Sequence, residues 1–230
     1  MTYAQNTARE LSIVILGAGG VGGYLGARLI SAGANVSFLV REARAARLRA
    51  TGLSLSSPLG NVAAPVAVIT RANDEARADL VVLACKAFDL EAALLVVAPI
   101  VRAGARLLPL LNGIRHIDLL KKRGLAHPSI GGIVSGALEM RQDGSIAHLT
   151  PFLTLTVGTF SGEPDSVLQS FLDRLTSVGV DARWSPHIAS DMWAKFAFLT
   201  TLAGRHLPDA GKHRQYRGDR SGRPAHPPAL

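Results

Sequence analysis

The sequence predicts an α/β fold wound on a parallel sheet, and three observations carry that reading. The stretch Leu11–Gly26, LSIVILGAGGVGGYLG, passes from an apolar run through a glycine cluster into a helix-compatible segment. Short apolar runs recur at Asp79–Ala84 and Arg106–Leu111, as expected of strands buried on both faces. Between them Leu90–Val101 has helical spacing, the alternation that strand–helix–strand units require.

Composition bounds the rest. The chain has 230 residues, enough for one large domain or two small ones with a real core. With 48% hydrophobic and 18% charged residues it reads as globular rather than disordered. The single cysteine, Cys85, excludes a disulfide framework within the chain and makes a reducing compartment the default. Residues 1–10 are polar and the strand after them is too short for a signal peptide. The longest apolar region, Leu90–Leu111, is interrupted by Pro99, Arg102, Arg106 and Pro109, so no membrane span is expected. A soluble, cytoplasmic protein follows. The net charge of +8 invites a nucleic-acid partner, but half of it lies in residues 204–230, which hold six Lys/Arg and two Asp. No recognition-helix, RNP or zinc pattern accompanies it, and no nucleic-acid partner is expected.

Taken in order, Ile13–Leu16 is the first strand, and Gly17, Ala18, Gly19, Gly20, Val21 and Gly22 form the turn into a helix over Tyr24–Ala32. Gly17 suits a tight turn, Gly19 a close backbone approach to a pyrophosphate, and Gly22 close packing of helix on strand. The helix N-terminus that follows favours an anion, so the turn reads as dinucleotide-binding and the domain as Rossmann-like. A purely structural glycine turn is the bland alternative. Asn35–Val40 is the second strand. A version binding NAD has Asp or Glu near its end, for the ribose 2′-hydroxyl. Arg41 stands there instead, with Arg44 and Arg47 beyond. A cation at that point favours the 2′-phosphate of NADPH; the alternative is a solvated helix face.

Residues 51–70 carry Gly52, Pro58, Gly60 and Pro65 between apolar pieces and predict a small hairpin and a connecting strand. The strand at 79–84 ends in Cys85-Lys86-Ala87-Phe88, which puts Lys86 at the carboxyl edge of the sheet, where open α/β folds bind ligands. Lys86 taken alone is equally an exposed loop lysine, and Cys85 a small packed residue. The strand at 106–111 ends in Asn112-Gly113. Asn112 can both donate to and accept from a bound group, although on local grounds Asn-Gly is foremost a turn. Ser129–Ser135 is a further strand, and 137–140, 146–149 and 153–157 read as antiparallel strands joined by turns. A helix starts at Glu163-Pro164-Asp165 and runs to about Val178, and Val180–Trp184 is the last short strand. His116 and His148 have no companions at ligand spacing, so no metal is expected. After a break at Ser185-Pro186-His187, a helix begins at Ile188, with Lys195 the only charge in its apolar half. Such a lysine either snorkels to solvent or serves a site.

The glycine opening, Arg41, Cys85-Lys86-Ala87-Phe88, Leu111-Asn112-Gly113 and Asp191-Met192-Trp193-Ala194-Lys195-Phe196 together resemble the ketopantoate reductases, over residues 11 to about 203. The resemblance implies an N-terminal Rossmann-like domain (1–185) followed by an all-helical C-terminal domain, of which 186–203 is the first helix. It implies that Gly17 to Gly22, Arg41, Lys86 and Asn112 hold NADPH. It also implies that Lys195, with Asn112, serves catalysis on a small 2-keto acid, most directly 2-dehydropantoate. A homodimer is compatible with it. Leu199 and Ala203 stand where many members carry asparagines, a departure that bears on the substrate. A non-catalytic NADP-binding module and a related dehydrogenase with another carbonyl substrate remain alternatives.

From Gly204 the apolar helical pattern stops, and 204–230 reads as a disordered basic tail with four prolines. Shifting the reading frame by one base, with plausible G/C-rich codons, restores an amphipathic helical sequence. A frameshift or truncation after Ala203 is therefore the expectation. It carries the further expectation that Trp193, Phe196 and Phe198 are partly exposed.

Overall fold

A computed structural model describes residues 11–72, 77–126 and 128–205. The expectation for the basic tail lies outside the described residues, apart from Gly204 and Arg205, which continue the last helix.

The first half is a strand–helix alternation: β1 (Ser12–Leu16), α1 (Gly20–Ser31), β2 (Asn35–Leu39), α2 (Glu42–Thr51), β3 (Leu53–Ser56), β4 (Val62–Ala64), β5 (Ala67–Ile69), β6 (Leu80–Leu83), α3 (Leu90–Arg102) and β7 (Arg106–Pro109). A single turn of 3₁₀ helix, Ala87–Asp89, joins β6 to α3. Five of these strands form a parallel sheet in the order β5-β2-β1-β6-β7. The chain starts in the middle and winds outward both ways, so the carboxyl ends of β2 and β6 flank that of β1. That divergence is where open α/β sheets leave a crevice.

Alternation along each strand feeds two cores. Ile13 and Ile15 of β1, Phe38 of β2, and Leu80 and Val82 of β6 face α1; Val14, Leu39, Val81 and Leu83 face α3, where they meet Leu90, Leu94 and Val97. Burial on both faces explains why these strands read as unbroken apolar runs. α1 is sandwiched. Gly26 lets it settle on the Phe38 ring, where a Cβ would come within 2.2 Å of the ring. On its other side Gly23 faces Ile146 of a second, smaller sheet.

The second half comprises α4 (Arg115–Lys122), β8 (Ile130–Ser135), β9 (Leu138–Met140), β10 (Ile146–His148), β11 (Thr154–Thr159), α5 (Ser166–Ser177), β12 (Asp181–Trp184) and α6 (Ile188–Arg205). The sequence reading has no counterpart for α4. It also makes the pieces at 137–157 one antiparallel series, and the structure divides them. β9 and β10 are an antiparallel pair, but β10 then lies parallel to β3, in a four-stranded sheet ordered β4-β3-β10-β9. β11 pairs with β8 and β12 in a separate three-stranded sheet. Alternation identifies a strand but not its partner, which here is set by the apolar faces that α1 and α5 must cover. Leu168, Phe171, Leu172 and Leu175 of α5 are buried with Leu155, Val157 and Val180.

α6 crosses β8 through a second close approach. A Cβ on Gly131 would lie 2.6 Å from Met192 Sδ and 3.0 Å from Ile188 Cγ1. This seating fixes the azimuth of α6 and carries Lys195, one turn after Met192, toward the end of β8. Trp193, Phe196 and Phe198 lie on exposed parts of the helix, at 57%, 38% and 62% exposure. None of the described helices is long and apolar enough to cross a membrane.

The α5 N-terminus offers a direct test of the local account. Asp165 caps it, accepting from the Val167 and Leu168 amides at 3.0 and 3.2 Å, and also takes Arg106 Nε at 2.7 Å. Asp165→Ala removes both and is expected to cost about 1–3 kcal/mol in urea unfolding. Asp165→Asn keeps a capping oxygen and is expected to cost less than half as much. Equal losses would mean that the cap contributes nothing.

Candidate functional site

The crevice above β1 is built by the glycine turn. Gly17 has φ +99°, and a Cβ there would sit 2.9 Å from the Ala84 carbonyl oxygen. A left-handed, crowded position of this kind accepts only glycine without strain. Gly22 allows the closest approach in the turn, since a Cβ would fall 2.0 Å from the Gly17 oxygen and 3.1 Å from Ala84 Cβ. Gly19 is the opposite case, with no heavy atom within 4 Å of a Cβ position. Gly19 is also the N-cap of α1, which has no side-chain cap and no acidic residue in its first turn. The N–H groups of that turn therefore lack helical acceptors and face open space beside Gly19. These features fit a dinucleotide pyrophosphate, an anion that the helix terminus stabilises.

Two cavities adjoin the turn. The first, about 530 Å³, is lined by Gly17, Ala18 and Gly19, by Arg41 after β2, and by Lys86, Phe88 and Asp89 after β6. The second, about 230 Å³, is lined by Val21, Asn112, Val134, Leu138 and Lys195 among others. Gly20 opens α1 between them, against the Leu138 backbone. The sequence-predicted residues thus divide into two groups across the glycine turn. Lys86 is on the first side, with its Nζ 5.8 Å from the Phe88 ring centroid. Asn112 and Lys195 are together on the second. Burial holds the Cys85 thiol above its usual pKa, and Asp89 adds to the shift, which agrees with a packed rather than reactive cysteine.

Arg41 is exposed and pairs with Asp89, a residue that sequence reading passes over. The signal for Asp89 is topological. It follows Lys86 by three positions at the end of β6, and β6 and β2 are the two neighbours of β1. Arg44, by contrast, is occupied with backbone. Its Nη2 donates to the Ala18 and Gly144 carbonyls, both at 3.0 Å, and Arg47 Nη1 donates to Gln142 at 2.9 Å. Burial and the neighbouring Arg47 pull the Arg44 pKa down. These two arginines clamp the β9–β10 turn to α2 and the glycine turn, leaving Arg41 as the residue of the three with an outward charge.

Lys195 reaches from α6 into the second cavity. Its Nζ donates to Val134 O at 2.7 Å and to Asn112 Oδ1 at 3.0 Å. Asn112 stands at the end of β7, and Gly113 turns the chain away with φ +82°. The turn reading and the functional reading of Asn-Gly are therefore both met, by different residues of the pair. Both acceptors of Lys195 are neutral, and burial lowers its pKa from the usual 10.5. An ammonium held by neutral groups beside a small cavity can donate a proton to, or stabilise, an oxyanion formed there. Leu199 lies one helical turn beyond it and is half-buried. His116 is buried, its Nε2 has no partner among the described residues, and desolvation lowers its pKa to about 4, so it is neutral at physiological pH.

The family model for ketopantoate reductase PanE/ApbA matches residues 13–162. An uncharacterized oxidoreductase, YkpB, of Bacillus subtilis is 32% identical, over 84% of this chain and 64% of its own length. A 2-dehydropantoate 2-reductase of Mesorhizobium japonicum is 28% identical, over 80% of this chain and 63% of its own. Among solved structures, the 2-dehydropantoate 2-reductase from Geobacter metallireducens superimposes with a TM-score of 0.74 at 26% identity, covering 82% of this chain and 62% of that one. The chain thus spans less than two thirds of the length of each of these relatives.

A lysine with a lowered pKa is more readily protonated in the unfolded chain, so its charge opposes folding below its folded pKa, and stability rises as pH climbs toward 10.5. Lys195→Met should therefore leave the melting temperature unchanged or raise it at pH 7. The difference from the unaltered protein should shrink as the pH approaches 10.5. A lower melting temperature for the variant at pH 7 would show that the two hydrogen bonds outweigh the buried charge.

Proposed function

The chain belongs to the ketopantoate reductase family, and on that premise we propose that it reduces the ketone of a 2-keto acid to the alcohol with NADPH. The substrate we assign is 2-dehydropantoate, with pantoate as product, a step of cytoplasmic pantothenate biosynthesis. The observation that carries the reading is the Lys195–Asn112 pair, held at 3.0 Å beside the turn that fits a pyrophosphate.

A bound NADPH supplies the hydride. The glycine turn and α1 N-terminus would hold the pyrophosphate, Arg41 the 2′-phosphate, Lys86 the part of the dinucleotide in the first cavity, and Asn112 would border the nicotinamide beside Lys195. As the ketone becomes an alkoxide, Lys195 Nζ stabilises the charge and gives up a proton. Its lowered pKa makes that transfer easier at neutral pH. The same cation suits the substrate carboxylate. Asn112 Oδ1 and Val134 O keep Nζ directed at one place, which limits the reorganisation needed as charge develops.

Leu199 favours a second substrate within the same chemistry. A half-buried leucine one turn from Lys195 cannot hydrogen-bond a hydroxyl, so a 2-keto acid with an apolar substituent is a second candidate substrate. In the arrangement proposed, residues 1–185 form the cofactor domain, and α6 opens a helical substrate domain.

The test is NADPH oxidation by this chain with 2-dehydropantoate and a panel of 2-keto acids. We expect turnover with at least one of them, and Lys195→Ala is expected to lower kcat by about 10²–10⁴-fold while leaving NADPH affinity in place. Tight NADPH binding without turnover on any 2-keto acid would instead favour a non-catalytic nucleotide-binding module.

A further inference from the structure

The Arg41–Asp89 pair bridges the two strands that flank β1. Arg41 stands two residues past the end of β2, and Asp89 closes the 3₁₀ turn after β6. With the order β2-β1-β6, the pair passes over the exit of β1, and both partners line the cavity that Gly17, Ala18 and Gly19 line from below. The pair therefore lies across the space that the adenosine half of a dinucleotide has to enter.

Resting on the reading that this cleft takes a nicotinamide dinucleotide, we infer that Asp89 is a second reader of the cofactor ribose and works in opposition to Arg41. Dinucleotide folds that take an unphosphorylated ribose place a carboxylate at the end of the second strand, to accept from the 2′-hydroxyl. Here that position carries the guanidinium, and the carboxylate comes instead from the strand on the other side of β1. The two groups want different ligands. A 2′-hydroxyl donates to the Asp89 carboxylate. A 2′-phosphate has only acceptors, is repelled by Asp89 and is held by the Arg41 fork. In the free protein each occupies the other, so phosphate has to displace Asp89 from Arg41, whereas a hydroxyl does not. Displacement is easy, because the Arg41 side chain is 81% exposed and that of Asp89 31% exposed. Exposed pairs of this kind are weak and screened. Asp89 thereby narrows the preference for NADPH over NADH that Arg41 creates.

The competing account is that Asp89 merely holds Arg41 in place for the phosphate, and the two accounts predict opposite signs. Dissociation constants for NADPH and NADH are to be measured by equilibrium titration on the unaltered chain, Asp89→Asn and Arg41→Ala, at low and high salt. Asn keeps the side-chain shape and an acceptor for Arg41 while removing the charge. We expect Asp89→Asn to tighten NADPH about two- to fivefold and to weaken NADH, with the NADPH gain shrinking at high salt. Arg41→Ala should do the reverse, weakening NADPH and sparing NADH. Weaker NADPH binding in Asp89→Asn, or equal shifts for both cofactors, overturns the inference. If Arg41→Ala selectively weakens NADPH while Asp89→Asn leaves the ratio unmoved, the role of Asp89 falls and the NADPH reading stands. If the unaltered chain binds neither dinucleotide, both fall together.

Discussion

The approach of α1 to the end of β1 is the constraint on which the other features depend. Gly22 has no side chain, so the helix can close on the Gly17 carbonyl, where any Cβ would sit 2.0 Å away. That contact fixes where the free N–H groups of α1 point. It also places α1 close enough to the sheet for Phe38 to seat under Gly26 and for Ile146 to seat against Gly23. The small four-stranded sheet is thereby drawn onto the outer face of α1, bringing the Gly144 turn within reach of Arg44. Overpacking in a core of this density costs about 1–3 kcal/mol even for one methylene. Backbone contact below van der Waals distance leaves no flexible side chain to give way.

A second approach of the same kind builds the other half of the cleft. Gly131 lets α6 lie on β8, and the resulting position of the helix carries Lys195 to Val134 and Asn112. Two glycine contacts, one in α1 and one in β8, thus set two chemical halves: a glycine turn with Arg41 and Asp89 on one side, and a partly desolvated ammonium on the other. The electrostatics of the halves differ in kind. Arg41 and Asp89 pair in solvent, where the interaction is weak and exchangeable. Lys195 has neutral partners in a partly dry setting, where its proton is held less firmly.

Legibility in the sequence follows the same division. The glycine turn, Arg41, Lys86 and the parallel strands could be read because each depends on local order: strand, turn, then helix, with a cation just past the second strand. Lys195 and Asn112 could be singled out as odd residues in their settings, but their contact spans 83 positions, and locally Asn112 is better explained as a turn. Asp89 was not legible at all. Its pairing with Arg41 depends on β2 and β6 flanking β1, which is a property of sheet order and not of spacing. The strands at 137–157 are legible as strands but not as one series, since β10 finds its second partner in β3, far upstream. Alternation gives the face of a strand, whereas its neighbour is decided by which helix needs covering.

The central claim is that the two halves serve one reaction, the first holding NADPH and the second the 2-keto acid. A single-turnover experiment with NADPH carrying deuterium at the transferable nicotinamide position tests it most directly, with 2-dehydropantoate and related 2-keto acids as acceptors. The account predicts deuterium at the former ketone carbon of the 2-hydroxy acid product from at least one acceptor. NADPH that binds, while no acceptor receives label, would contradict it.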